Sequence, residues 1–136
     1  MSFVTRSARA HIDAATGMFA PQVSGNVYAG EDLDPVAPCR IASTGLVYMC
    51  NASSGSGGDV IGFTPKLYKS GEPVRLFGAG TRANYGSGLT PGARFYLGTT
   101  KGRLDTAPTA DDQKGVAIVL SATDILIVRA DGVVES

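Results

Sequence analysis

From residue 25 onward, short apolar runs recur between turn residues at a spacing of about ten. Val27-Tyr-Ala29 precedes the polar turn Gly30-Glu-Asp-Leu-Asp-Pro35. Cys39-Arg-Ile-Ala42 and Leu46-Val-Tyr-Met-Cys50 flank Ser43-Thr-Gly45. That spacing predicts a hairpin with a three-residue loop and Gly45 in the left-handed position. Val60-Ile-Gly-Phe63, Lys66-Leu-Tyr-Lys69 and Val74-Arg-Leu-Phe77 follow the flexible run Ser53-Ser-Gly-Ser-Gly-Gly58. In the last of them Val74 and Leu76 alternate with Arg75, the pattern of a strand with one wet face. Further on, residues 94–97 and 103–106 predict a hairpin around Thr100-Lys-Gly102. Residues 115–120 and 125–128 predict another around Ser121-Ala-Thr-Asp124. This last hairpin is apolar on both faces, so it is expected at the centre of a sheet. No segment has the length and period of a core helix.

Two stretches break the pattern. Residues 1–24 are polar and rich in alanine, with scattered apolar positions, and Thr16-Gly17 and Pro21 interrupt any helical period. They read as an extended N-terminal arm ahead of a single β-rich domain, 25–136. The apolar residues Phe3, Val4, Ile12, Met18 and Phe19 look too scattered to form a core, so the arm is expected to order only against a partner surface. Residues 78–88 form a long glycine-rich stretch, read as a mobile or partner-ordered loop. It lacks the Gly-Lys-Ser/Thr ending of a phosphate loop, and no helix follows it. The fold class expected is all-β, a small antiparallel β-barrel or sandwich with an extended N-terminal arm.

Composition narrows the chemistry. The 136 residues hold 12 basic and 12 acidic side chains, one His and two Cys. Zero net charge argues against a nucleic-acid binder, which normally carries a basic excess. A zinc site would have to be built mostly from carboxylates. His11 beside Asp13 lies in a flexible arm, where two neighbours are not held for catalysis. The acidic turn Glu31, Asp32 and Asp34 matches no calcium loop and reads as solvated. An enzyme is therefore not expected, and no cofactor or metal is implied. No apolar run approaches the roughly 18 residues of a membrane helix, and no signal peptide follows the first arginines. Synthesis in a cytoplasm is the expectation, which leaves the Asn51-Ala-Ser53 sequon without consequence.

Cys39 and Cys50 sit on the two arms of one predicted hairpin. A two-residue loop would place them opposite each other, and a three-residue loop shifts them by one. Thr44 is β-branched and resists the positive φ of the tighter turn, so the shifted register and two free, partly buried thiols are expected.

Charge is unevenly distributed along the chain. Residues 1–59 carry three basic and five acidic side chains, 60–103 seven and one, and 104–136 two and six. Such segments can pair with copies of the same chain or with an acidic partner. The candidate contact residues are Phe3, Arg6, Arg9, Ile12 and Phe19 in the arm, with Arg82 and Tyr85 in the glycine-rich loop. Arg and Tyr are enriched at interface hot spots.

The runs Gly88-Leu-Thr-Pro-Gly-Ala-Arg-Phe-Tyr-Leu97, Gly102-Arg-Leu104 and Gly115-Val-Ala-Ile-Val-Leu-Ser-Ala-Thr-Asp-Ile125 resemble small structural proteins of tailed bacteriophages, the capsid decoration or cement proteins. Similar runs occur in phage fibre modules. Ala29-Gly-Glu-Asp-Leu33 and Ser70-Gly-Glu-Pro-Val74 fit the same kind of protein, and the likeness covers roughly residues 25–128. It implies an all-β body, often a homotrimer, on the outer surface of the virion capsid, bound to the major capsid protein. It carries over no catalytic residue. The alternative is a fibre or tail-tip module that recognises a surface glycan, against which the absence of Trp counts. A small-molecule enzyme on a β-barrel is the third reading, disfavoured by the shortage of His.

Overall fold

A computed structural model of the chain describes residues 4, 6, 10–12, 27–52 and 58–131. Its secondary structure is all β. The strands are β1 (Tyr28–Ala29), β2 (Pro38–Ile41), β3 (Leu46–Met49), β4 (Gly62–Phe63), β5 (Arg82–Asn84), β6 (Arg94–Leu97), β7 (Leu104–Asp105), β8 (Ala117–Val119) and β9 (Asp124–Ile127). They form two sheets, β1-β3-β2-β4 and β5-β9-β8-β6-β7. Every pairing is antiparallel except β1 with β3, which is parallel. Among the described residues no helix is long and apolar enough to cross a membrane.

The hairpins follow from their turns. In β2-β3, Cys39 faces Met49 and Ile41 faces Val47, so the loop is Ser43-Thr-Gly45. Gly45 has φ +85°, a conformation in which a Cβ is disfavoured, and its N–H donates to the Ala42 carbonyl. The thiols are thus out of register by one residue, as the loop length requires, and both are free and buried. β6-β7 and β8-β9 also pair across the expected turns, and β8 and β9 occupy interior positions of their sheet.

Neither sheet closes on itself by strand pairing among the described residues. Each instead has both edges touched by one further segment. In the first sheet, Pro73 bridges Tyr28 of β1 and Phe77 bridges Phe63 of β4. Residues 73–77 therefore reach from one edge to the other. In the second, Val4 donates to the Leu104 carbonyl of β7 (2.7 Å), while His11 and Asn84 of β5 exchange two backbone bonds (3.0 and 2.9 Å). Covered edges cannot recruit stray strands.

Two apolar clusters lie behind the sheets. The smaller contains Ala29, Leu33, Ala37, Cys39, Val47, Tyr68, Val74 and Leu76. The larger gathers the inner faces of β5, β6, β8 and β9, with Phe63 and Phe77 from the rim of the first sheet. It also takes Val4, Ala10 and Ile12. This corrects the expectation for the arm: its described apolar residues fill the chain's own core. Scatter in sequence did not prevent burial, because Val4 and His11 are held by backbone bonds to β7 and β5.

The glycine-rich stretch is corrected as well. It contains strand β5, and Thr81, Ala83 and Tyr85 point inward while Arg82 is exposed. Lys66-Leu-Tyr-Lys69, conversely, contributes only a single bridge, Tyr68 with Leu33. Close approach accounts for Gly30, since a Cβ there would lie 2.5 Å from the Tyr48 ring.

Candidate functional site

Of the seven contact residues expected from sequence, Phe3, Arg9 and Phe19 lie outside the described residues. The other four do not gather on one surface. Arg82 is exposed, but its Nε donates to Asp124 Oδ2 at 2.6 Å. Tyr85 is fully buried, its ring 6.4 Å from that of Phe95. Ile12 is buried in the core. The Arg6 side chain is 6% exposed and turns inward. Its Nη1 donates to the Gly102 carbonyl and its Nη2 to Asp34, both at 3.0 Å, with the guanidinium 6.0 Å from the Tyr85 ring. Arg6 is thus a mooring of the arm to the body, and Tyr85 is part of what it is moored against. The alternation Thr81, Ala83, Tyr85 was the sequence signal for this burial, and the flanking glycines concealed it.

The acidic turn is divided among three basic side chains and two backbone N–H groups. Glu31 pairs with Lys101 (2.5 Å) and accepts from Met49 N–H (2.9 Å). Asp32 accepts from Ser70 N–H (2.9 Å) and stands 4.0 Å from Lys69. Asp34 takes Arg6. Carboxylates directed apart in this way pin neighbouring loops. Among the described residues no group of three or more His, Cys, Asp or Glu could hold a metal ion.

Sequence reasoning missed the buried polar centre at Asp112. This side chain is fully buried. Its Oδ2 accepts Leu97 N–H (2.8 Å), and its Oδ1 accepts Gly115 N–H (2.8 Å), Lys114 N–H (3.2 Å) and the Arg129 guanidinium (3.1 Å). Thr109 donates its hydroxyl to the Leu97 carbonyl at 2.6 Å. Together they fasten the loop between β7 and β8 to the end of β6. A buried charge held by this many donors is stable only while all are present.

Other buried titratable groups lack such support. Asp111 is buried, and its carboxyl is raised by burial and then by the nearby Asp59 charge. Burial also raises Asp59, with its backbone hydrogen bond and Arg40 pulling it back. One oxygen of each, Asp59 Oδ1 and Asp111 Oδ2, has no hydrogen-bond partner. Burial pushes the Tyr85 phenol up against the opposing pull of Arg6 and Arg103. Both thiols are pushed up chiefly by burial, which makes them poor nucleophiles. Neither pair of groups forms a nucleophile with a positioned base.

Among the described residues, four large apolar side chains are exposed, Tyr28, Ile41, Leu67 and Leu120. Tyr28 shares the outer face of the first sheet with Leu46, Tyr48 and Arg40, whose guanidinium lies 5.6 Å from the Tyr48 ring. Leu67 is held outward between Lys66 and Lys69, because Tyr68 is tied inward by its bridge to Leu33. Leu120 stands at the end of β8 beside an uncharged turn.

No protein-family model matches the chain, and no curated protein matches it.

Proposed function

We propose that the protein is a structural virion component that binds the outer face of an assembled phage capsid and cements the shell. The observation that carries this reading is the likeness of residues 88–97, 102–104 and 115–125 to decoration proteins. All three runs fall in one continuous part of the second sheet, the neighbours β8, β6 and β7 and their turns. Supporting it are the short strands, the hydrogen-bonded turns and the covered edges of a body suited to passive clamping. In this reading the body is a small β-barrel or sandwich and acts without catalysis. Weak contacts to several lattice subunits add through avidity when copies are joined, most simply as a trimer. The major capsid protein is the partner, and the protein is made in the host cytoplasm before it joins the virion surface.

Incubation with decoration-free phage shells tests the reading. Density on the outer surface at regular lattice positions is expected, and bare shells at saturating protein would overturn it. The rival reading, a fibre or tail-tip module for a surface glycan, draws on exposed Tyr28 and half-buried Tyr48 beside Arg40. Binding to host glycans that is lost in Tyr28→Ala would favour it instead.

A further inference from the structure

Two turns meet at one end of the second sheet. Residues 85–93 lead from β5 into β6, and residues 119–123 lead from β8 into β9. Neither stretch contains Asp, Glu, Lys, Arg or His. Backbone bonds stitch them together. Tyr85 N–H donates to the Thr123 carbonyl (2.8 Å), Leu89 N–H to Ala122 (3.0 Å) and Gly92 N–H to Val119 (2.8 Å). Each turn is also closed internally, through Ala93 N–H to Thr90 (3.1 Å) and Leu120 N–H to Asp124 (2.9 Å). The outer surface of this tip is formed by Thr90, Pro91, Leu120 and Ala122, all exposed, with Leu120 39% exposed. Of the charges at its flanks, Arg82 and Asp124 neutralise each other at 2.6 Å, and Arg94, which follows the first turn, sends its guanidinium away to the Lys114 carbonyl ahead of β8 at 3.2 Å.

We propose that this uncharged tip is the surface through which the protein associates with further copies of itself, the tips of neighbouring copies packing on one another. Subunits arranged about a rotation axis bring like against like near that axis. A charged patch there meets its own image and is repelled in a dry contact, whereas an uncharged one is not. The other exposed apolar groups fail this condition: Leu67 lies between two lysines, Ile41 follows Arg40, and Tyr28 shares its face with Arg40. Depletion of charge is also what marks the centre of protein interfaces. The cross-stitched turns are ordered before contact, so association costs little backbone entropy. The proposal rests on the self-association part of the proposed function and not on shell binding.

Sedimentation of the full chain from about 1 μM to about 1 mM reads it directly. The mass is expected to rise above that of the monomer with concentration. Leu120→Glu and Leu120→Lys should each move the midpoint at least about tenfold toward monomer. An equimolar mixture of the two variants should reassociate, since opposite charges then meet at the axis. Leu67→Glu, the same change at a comparably exposed leucine, should leave assembly unaltered. Circular dichroism of each variant confirms an unchanged fold. A wild-type protein that stays monomeric throughout, an unaffected Leu120→Glu assembly, or a mixture that remains monomeric would each overturn the proposal. Bare shells alongside intact self-association would overturn the shell reading alone.

Discussion

The core behind the first sheet is small and almost wholly hydrocarbon, while the core behind the second is larger and has charge built into it. In the first, Leu33, Val47, Val74 and Leu76 are buried with little or no exposure, and the ion pairs of Glu31 and Asp32 stay at the rim. In the second, Asp112 is fully buried with Arg129 against it, and Arg6 reaches inward toward Tyr85. The difference follows from how one connection is held. The second sheet anchors residues 106–116, which join β7 to β8, and a carboxylate can accept several N–H groups from such a loop at once. Apolar packing degrades gradually under substitution, whereas a buried polar hub fails when one member is removed.

This contrast can be broken at its strongest point with Asp112→Ala. The change strands the Leu97 and Gly115 N–H groups and leaves Arg129 with Asp131 but without its buried carboxylate partner, and it should cost about 4 kcal/mol in urea unfolding. A loss below about 1 kcal/mol would show the hub to be dispensable. Leu76→Ala tests the hydrocarbon core and should cost about 3 kcal/mol. Because Cys39 lies in this core and Cys50 in the other, Leu76→Ala should also speed labelling of Cys39 more than that of Cys50. Equal acceleration would mean that the two regions open together.

Ile12→Ala asks whether the arm belongs to the second core in solution. A loss of about 2 kcal/mol is expected, and an unchanged transition would detach the arm from the body. The smallest effect is a gain. Folding raises the Asp111 carboxyl, so its folded form binds the proton more tightly than its unfolded form. The group favours the fold fully below its unfolded pKa of about 4, and that contribution is lost as pH rises through the folded value. Asp111→Asn should therefore stabilise the protein at pH 7 by about 1 kcal/mol, the low end of the penalty for a buried unsatisfied group. The gain should fade toward pH 3. A gain independent of pH would trace it to packing.

Local chemistry made the hairpins legible. Gly45 and Thr44 set the β2-β3 register, and the double-faced apolar run at 116–120 placed β8 inside its sheet. Pairings between distant segments left no such trace. The parallel contact of Tyr28 with Leu46, the two-edged span of residues 73–77 and the landing of Val4 on Leu104 depend on the shape of the finished sheets. Strand β5 was hidden because glycines on both sides masked an alternation only five residues long. The contact residues were the least legible part: Arg and Tyr in a glycine-rich stretch look like hot spots, yet Tyr85 serves the interior. Asp112 was hidden for the opposite reason, since an acidic residue in a polar loop ordinarily faces water.

The double mooring of the arm also sets an order of events during synthesis. Val4 and His11 leave the ribosome well before their backbone partners, Leu104 and Asn84. Until those partners have emerged, Val4 and His11 cannot dock on them, and each sheet edge they cover stands open as it forms. Contacts spanning such a length of chain close slowly. The nascent protein consequently carries its own edge protector well before it can apply it. In that interval open strand edges are exposed to aggregation or chaperone capture.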